Sequence, residues 1–173
     1  AAEGILIVCG AGKIAGATLR VLEGLQHVKM TVVYVVPDLD FASKDEKLRN
    51  KVHFNILQEY SRSGKISEML IVDNKLILKA SGAGTVLKYY EKANHMIYSS
   101  IHTLNYCAHV DSEFGSLQDP KEISRLATIG FGKIEEKEEN LFFLLDNITE
   151  TRYIININED DLANDIDILP NIK

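Results

Sequence analysis

The sequence predicts an α/β fold: a parallel, Rossmann-like sheet with a long central helix, followed by part of a smaller α+β module. Three observations carry that prediction. Ile5-Leu6-Ile7-Val8-Cys9 is an unbroken apolar run, the pattern of a strand covered on both faces, and it enters a turn punctuated by Gly10, Gly12 and Gly16. Met30–Val36 is a second run, dense in β-branched residues and ended by Pro37, with a helical pattern between the two. Strand, helix, strand in that order makes the two strands parallel neighbours. The third observation is a helical period from Thr85 to about Ala108, with Val86, Tyr90, Ala93, Ile97, Ile101, Leu104 and Ala108 at three- and four-residue steps.

Ala15–Gln26 carries Leu19, Leu22 and Leu25 on one side and is predicted as the first helix, packed on one face of the sheet. Asp38–Asn50 is a polar stretch, and Lys51–Ser61 is predicted as a helix that uses Val52, Ile56, Leu57 and Tyr60 and stops at Ser63-Gly64. Glu68–Val72 is a third, short strand, closed by Asp73-Asn74 and followed by Leu76-Ile77-Leu78. Ser81-Gly82-Ala83-Gly84 breaks the chain before the long helix. Residues 109–120 form a polar loop, and a short helix from about Lys121 precedes Gly130-Phe131-Gly132. Beyond it Ile134–Asn140 is highly charged, while Leu141–Leu145 and Tyr153–Ile157 have strand character. The chain therefore divides into a core with its central helix (1–108), an acidic loop and connecting helix (109–139) and the start of a smaller module (140–173). No internal repeat or low-complexity segment interrupts it.

At 173 residues and 46% apolar content the chain can bury a sizeable core. A net charge of −6 argues against a general nucleic-acid binder, which needs clustered Lys and Arg to neutralise phosphates. Two cysteines, Cys9 and Cys107, imply neither a disulfide framework nor a metal site, and both are expected as small buried apolar residues. No apolar run approaches a membrane span and no signal peptide is read ahead of the first strand, so a soluble, cytoplasmic protein is expected.

A strand leading through glycines into a helix is how α/β proteins hold phosphate, with backbone N–H groups and the positive helix end facing the anion. The spacing leaves the kind of site open. Gly10, Gly12 and Ala15 fit the Gly-x-Gly-x-x-Ala dinucleotide pattern, with Asp38 after the second strand as the ribose-binding acid, although it comes late for that role. This alternative predicts an NAD(P)-binding domain. A Walker loop is excluded, because Lys13 lacks the preceding glycine loop and is followed by Ile14 rather than Ser or Thr. Lys13 is either a phosphate contact or a solvated loop residue.

Taken in order, more of the chain resembles the tubulin/FtsZ superfamily. Gly10-Ala11-Gly12-Lys13-Ile14-Ala15-Gly16-Ala17 aligns with that family's Gly-Gly-Gly-Thr-Gly-Thr-Gly-Ala loop, and Val35-Val36-Pro37 with its strand ending in a Pro-Phe turn. Leu70-Ile71-Val72-Asp73-Asn74-Lys75-Leu76 is similar to its Leu-Ile-Val-Ile-Pro-Asn-Asp-Lys-Leu segment. Gly82–Tyr90, followed by Ala93-Asn94, resembles the start of its central helix, and Gly130-Phe131-Gly132 a later glycine-rich turn. The resemblance spans roughly residues 1–132.

It implies a guanine nucleotide, GTP or GDP with Mg2+ as its companion ion, bound by Gly10, Ala11, Gly12, Lys13, Ile14, Ala15 and Gly16. Tyr90 would stack on the base and Asn94 would read its edge, one helical turn along the same face. Tyr90 equally suits the apolar stripe of the helix. The resemblance further implies self-association head to tail into filaments, with an acid after the central helix orienting water on the next subunit's γ-phosphate. Asp111, Glu113 and Asp119 lie in that loop, and counting back from Gly130 favours Asp119. Ala11, Lys13, Ile14 and Ala15 replace two glycines and two threonines of the family loop, which removes hydroxyl donors and puts a β-branched side chain where backbone approaches phosphate. The family's earlier strands have no counterpart here. A third alternative is a structural or assembly domain that binds no ligand.

No metal site is expected. His95, His102 and His109 recur every seven residues, about 10.5 Å along a helix, too far apart to share an ion. The acids at Glu159-Asp160-Asp161, Asp165 and Asp167 lack the glycine and spacing of a calcium loop and read as a solvated face or helix start.

Overall fold

The computed structural model describes residues 2–82, 88–110, 117–133 and 138–157. Four strands, β1 (Glu3–Cys9), β2 (Lys29–Val36), β3 (Glu68–Asp73) and β4 (Leu126–Thr128), form one parallel sheet in the order β1-β2-β3-β4. Glu3 to Cys9 stand opposite Lys29 to Val35, and Thr31 to Val36 opposite Glu68 to Asp73. Four α-helices are described: α1 (Thr18–Gly24), α2 (Lys44–Arg62), α3 (Asn74–Ser81) and α4 (Tyr89–His109). A two-stranded antiparallel ribbon, β5 (Gly130–Lys133) with β6 (Glu138–Leu141), follows the sheet.

Alternate residues of the central strands feed two cores. Val32, Tyr34, Met69 and Ile71 pack with Leu22 of α1 and Leu57 of α2, while Val33, Val35, Leu70 and Val72 pack with Ile77 of α3 and Ala93, Ile97 and Ile101 of α4. The result is three layers, helices on both faces of a parallel sheet. Phe142, fully buried, lies in the second core; its N–H donates to Ile129 and its carbonyl accepts from the Asp73 N–H.

Several expectations are corrected. β1 is not covered on both faces: among the described residues it is the sheet's edge, and Ile5 and Ile7 are 42% and 56% exposed because α3 and α4 lie over β2 and β3. Cys9, on the same open face, is exposed rather than buried. The first helix begins as a 3-10 turn, Lys13–Ala17, and α1 ends at Gly24 instead of Gln26. α2 starts at Lys44, inside the stretch read as a connection, because Ser43 and Glu46 form a capping box: the Ser43 Oγ accepts from the Glu46 N–H and the Glu46 carboxylate accepts from the Ser43 N–H at 2.8 Å.

The short helix near Lys121 is a single 3-10 turn, Glu122–Ser124, and leads into β4, which the sequence pattern does not reveal. Gly130-Phe131-Gly132 is strand rather than turn, with Gly130 so close to Leu141 and the Asn140 carbonyl that a β-carbon has no room. Only Leu141 of Leu141–Leu145 is in a strand, and Tyr153–Ile157 has no regular structure. On α4 the buried stripe is Ala93, Ile97 and Ile101; Ala108 is exposed, Tyr90 is 67% exposed, and Val86 lies outside the described residues.

Candidate functional site at the carboxyl ends of the strands

In an open parallel sheet ligands bind beyond the carboxyl ends of the strands. Four segments emerge there: the glycine turn after β1, Asp38 and Asp40 after β2, Asp73-Asn74-Lys75 after β3, and the first turn of α4.

The glycine turn is held by its own contacts. The Gly10 N–H donates to Val35, the Gly12 N–H to Cys9 at 3.3 Å and the Ala15 N–H to Gly12 at 3.0 Å. A β-carbon on Gly10 would stand 1.9 Å from the Tyr34 hydroxyl and 2.2 Å from Asn50 Oδ1. Gly10 is therefore demanded by packing inside the chain. Gly12 is extended, and a β-carbon on Gly16 would meet nothing within 4 Å. Ala15 is buried, Ala11 and Gly12 are half-buried, and Lys13, Ile14 and Gly16 are exposed. Ile14 in particular points to solvent at 83% exposure. Burial pushes the Tyr34 hydroxyl well above its ordinary range, so it stays protonated and keeps its hydrogen for Asn50.

Beyond β2 and β3 lies an ion-pair cluster. Lys75 Nζ lies 2.6 Å from Asp40 and 3.2 Å from Asp38, and the Asp40 N–H donates to Asp38 at 2.9 Å. That N–H, then Lys75, holds the Asp38 carboxyl below its ordinary value. Asp73 caps α3, its Oδ1 accepting from the Lys75 N–H at 2.7 Å. The proposed ribose acid, Asp38, is thus engaged by Lys75 and a backbone amide.

At the start of α4, the Tyr89 hydroxyl faces the Asn74 carbonyl at 3.5 Å, and the Tyr89 and Tyr90 rings meet edge to face at 4.6 Å. Tyr90 and Asn94, one turn apart, are both exposed, which takes Tyr90 out of the core and leaves ring and amide accessible on one side of the helix.

Asp119 lies at the other end of the sheet. Its Oδ1 is 2.5 Å from Lys29 Nζ at the start of β2; Lys29 also binds Glu3 at 3.0 Å, and Glu3 binds His109 Nε2 at 3.1 Å. The seven-residue β1 separates that cluster from Gly10 by roughly 20 Å at about 3.3 Å per residue. Asp119 and the glycine turn of one copy do not meet. Asp111 and Glu113 lie outside the described residues. The Lys29 cluster was not legible in sequence; nothing in a lone lysine before a strand marks it. Among the described residues no group of three His, Cys, Asp or Glu side chains could hold a metal ion, and no helix is long and apolar enough to cross a membrane.

Fold and site together define an α/β protein with a four-stranded parallel, Rossmann-like sheet whose glycine turn and charged loops lie at the strands' carboxyl ends. Its structure is similar to that of CetZ from Methanosaeta thermophila strain DSM 6194, with a TM-score of 0.51 and 14% sequence identity, over 64% of this chain and 30% of that one. The likeness is one of fold alone, and the chain spans less than a third of the length of CetZ. No family model and no curated protein matches the sequence.

Proposed function

We propose that this chain is part of a tubulin/FtsZ-like subunit that takes guanine nucleotide at the carboxyl ends of its sheet and associates head to tail. The observation that carries the reading is the separation of its two groups of residues. Gly10–Gly16, Tyr90 and Asn94 belong to one end of the sheet and Asp119 to the other, a strand's length away. An acid so placed can serve only the nucleotide of a neighbouring copy, where its carboxylate would orient the attacking water. The exposed Tyr90 ring would stack on the base, and Asn94 would offer its donor and acceptor to the guanine edge. Exposed Lys13 would supply a charge where the family loop uses hydroxyls.

Titration calorimetry with GTP, GDP and NADPH, run beside sedimentation velocity, tests this. Binding of GTP or GDP with nucleotide-dependent growth of the sedimenting species is the expected result. Binding of NADPH alone would select the dinucleotide alternative, and neither binding nor association would leave an assembly or structural domain.

A further inference from the structure

At the amino-terminal side of the sheet, away from the glycine turn, the segments leading into β2, β3 and β4 line an open cleft of about 320 Å³. The ionisable side chains that line it are all basic types, His27, Lys29, Lys65 and Arg125, with no acid among them.

The cations are held in different ways. The Arg125 carbonyl accepts from Met69 N–H and from Ser61 Oγ, both at 2.8 Å, so its backbone is fixed at the mouth of β4. Its guanidinium lies against Gly64, where a β-carbon would come within 3.0 Å of Nη1; Gly64 also adopts a φ of +76°, so glycine satisfies both demands. Among the described residues the acid nearest that guanidinium is Glu122, at 3.9 Å, beyond hydrogen-bond range. Lys65 has no acidic partner among the described residues and rides over the Tyr60 ring at 4.6 Å. Lys29, by contrast, is already neutralised by Glu3 and Asp119.

The end of α2 points its carbonyls toward this region, which by itself would repel an anion. Those carbonyls are already taken: Glu59, Tyr60 and Ser61 accept from the N–H groups of Ser63, Lys65, Ile66 and Gly64. Among the described residues neither the Arg125 guanidinium nor the Lys65 ammonium, both lining the cleft, makes a hydrogen bond to a carboxylate.

The geometry points to a binding site for a compact polyanion of the diphosphate class, with Arg125 as the forked donor and Lys65 as the point charge opposite it. A planar guanidinium matches two phosphate oxygens at once, and a neighbouring ammonium adds charge without needing a fixed direction. The cleft has the volume for a ligand of that size and is too small for a nucleic-acid strand.

The test is calorimetric titration of the chain with inorganic pyrophosphate and, separately, with citrate, in low and moderate salt. Pyrophosphate is expected to bind, more weakly as salt rises. Arg125→Gln should weaken it at least about tenfold and Lys65→Ala about threefold. Lys65 is exposed, so its variant keeps the fold even where Arg125→Gln proves unstable. Lys51→Ala, at an exposed position of α2 outside the cleft lining, should leave pyrophosphate binding unchanged. Absence of pyrophosphate binding, binding of citrate alone, or loss in Lys51→Ala with retention in both cleft variants each overturns the proposal. GTP titrations of the cleft variants keep the two ideas apart, since the nucleotide reading requires no change there.

Discussion

The Tyr34 hydroxyl lies 2.8 Å from the Asn50 side-chain oxygen, and this pair fills the space that a β-carbon on Gly10 would need. A glycine that looks like a phosphate contact is thus first a packing partner of β2 and α2. Gly10→Ala is expected to destabilise the chain by about 3 kcal/mol, since ring and amide must both move. Gly16→Ala faces open space in a helical turn and should be neutral or stabilising by about 0.5 kcal/mol. Urea unfolding of the two variants checks the contrast.

Glu68, at the start of β3, is half-buried near Arg152, Asp119 and Lys29, and loss of solvent pushes its carboxyl up to about 7. A carboxyl whose folded value is raised binds its proton more tightly in the folded state. The stability it confers is present in full below about 4.5 and is lost as pH climbs through about 7. The Asn105 carbonyl, then Glu3, raise His109 as well, and its contribution also fades as pH rises. Thermal melts from pH 5 to pH 8 should show falling stability. Glu68→Gln should flatten that slope, with a gain of up to about 3 kcal/mol at the alkaline end.

Asp119 is 72% exposed in its pair with Lys29, and Lys29 keeps Glu3 when Asp119 is removed. Asp119→Ala is expected to cost less than about 1 kcal/mol by thermal melting. If the acid serves a neighbouring copy, the same variant abolishes association-dependent release of phosphate from GTP while GTP binding persists. Unchanged release would remove Asp119 from that role.

Ile5 and Ile7 present an apolar face on the strand that is the sheet's edge among the described residues, the arrangement that pairs with other chains. Ile7→Lys should reduce concentration-dependent association in sedimentation at little cost in stability, because the side chain is already more than half exposed. An unchanged sedimentation profile would show that β1 takes no part in association.

Ser43→Ala removes one half of the capping box and is expected to destabilise α2 by about 1 kcal/mol, read by urea unfolding.

Much of the sheet was legible because β1, β2 and β3 are apolar runs with helical patterns between them. Where structure and sequence pattern diverge, the causes are local. Ser43-Lys44-Asp45-Glu46 carries a helix-start signal, yet its polarity resembles a loop. β4 has three residues, too short to show a period, and exists because β3 offers Met69, Leu70 and Ile71 as partners. Leu141–Leu145 looks like a strand because its apolar residues serve two cores, Phe142 one and Phe143 and Leu145 the other. At the site, Tyr90 and Asn94 were readable as one helix face, whereas the demands on Gly10 come from Tyr34 and Asn50, far along the chain. The basic cleft joins residues of three loops and has no signature in any one of them.

The two cores divide the strands unequally, and this sets where the protein can change. From Val32 to Val35 and from Met69 to Val72 every side chain is committed to one core or the other, so no position there is free to drift. On β1 only alternate residues, Leu6 and Val8, carry that obligation. Substitutions should therefore accumulate in a gradient across the sheet, sparse at β2 and β3 and frequent at Ile5, Ile7 and Cys9. The edge of the sheet is where this fold can acquire a new partner without redesigning its interior.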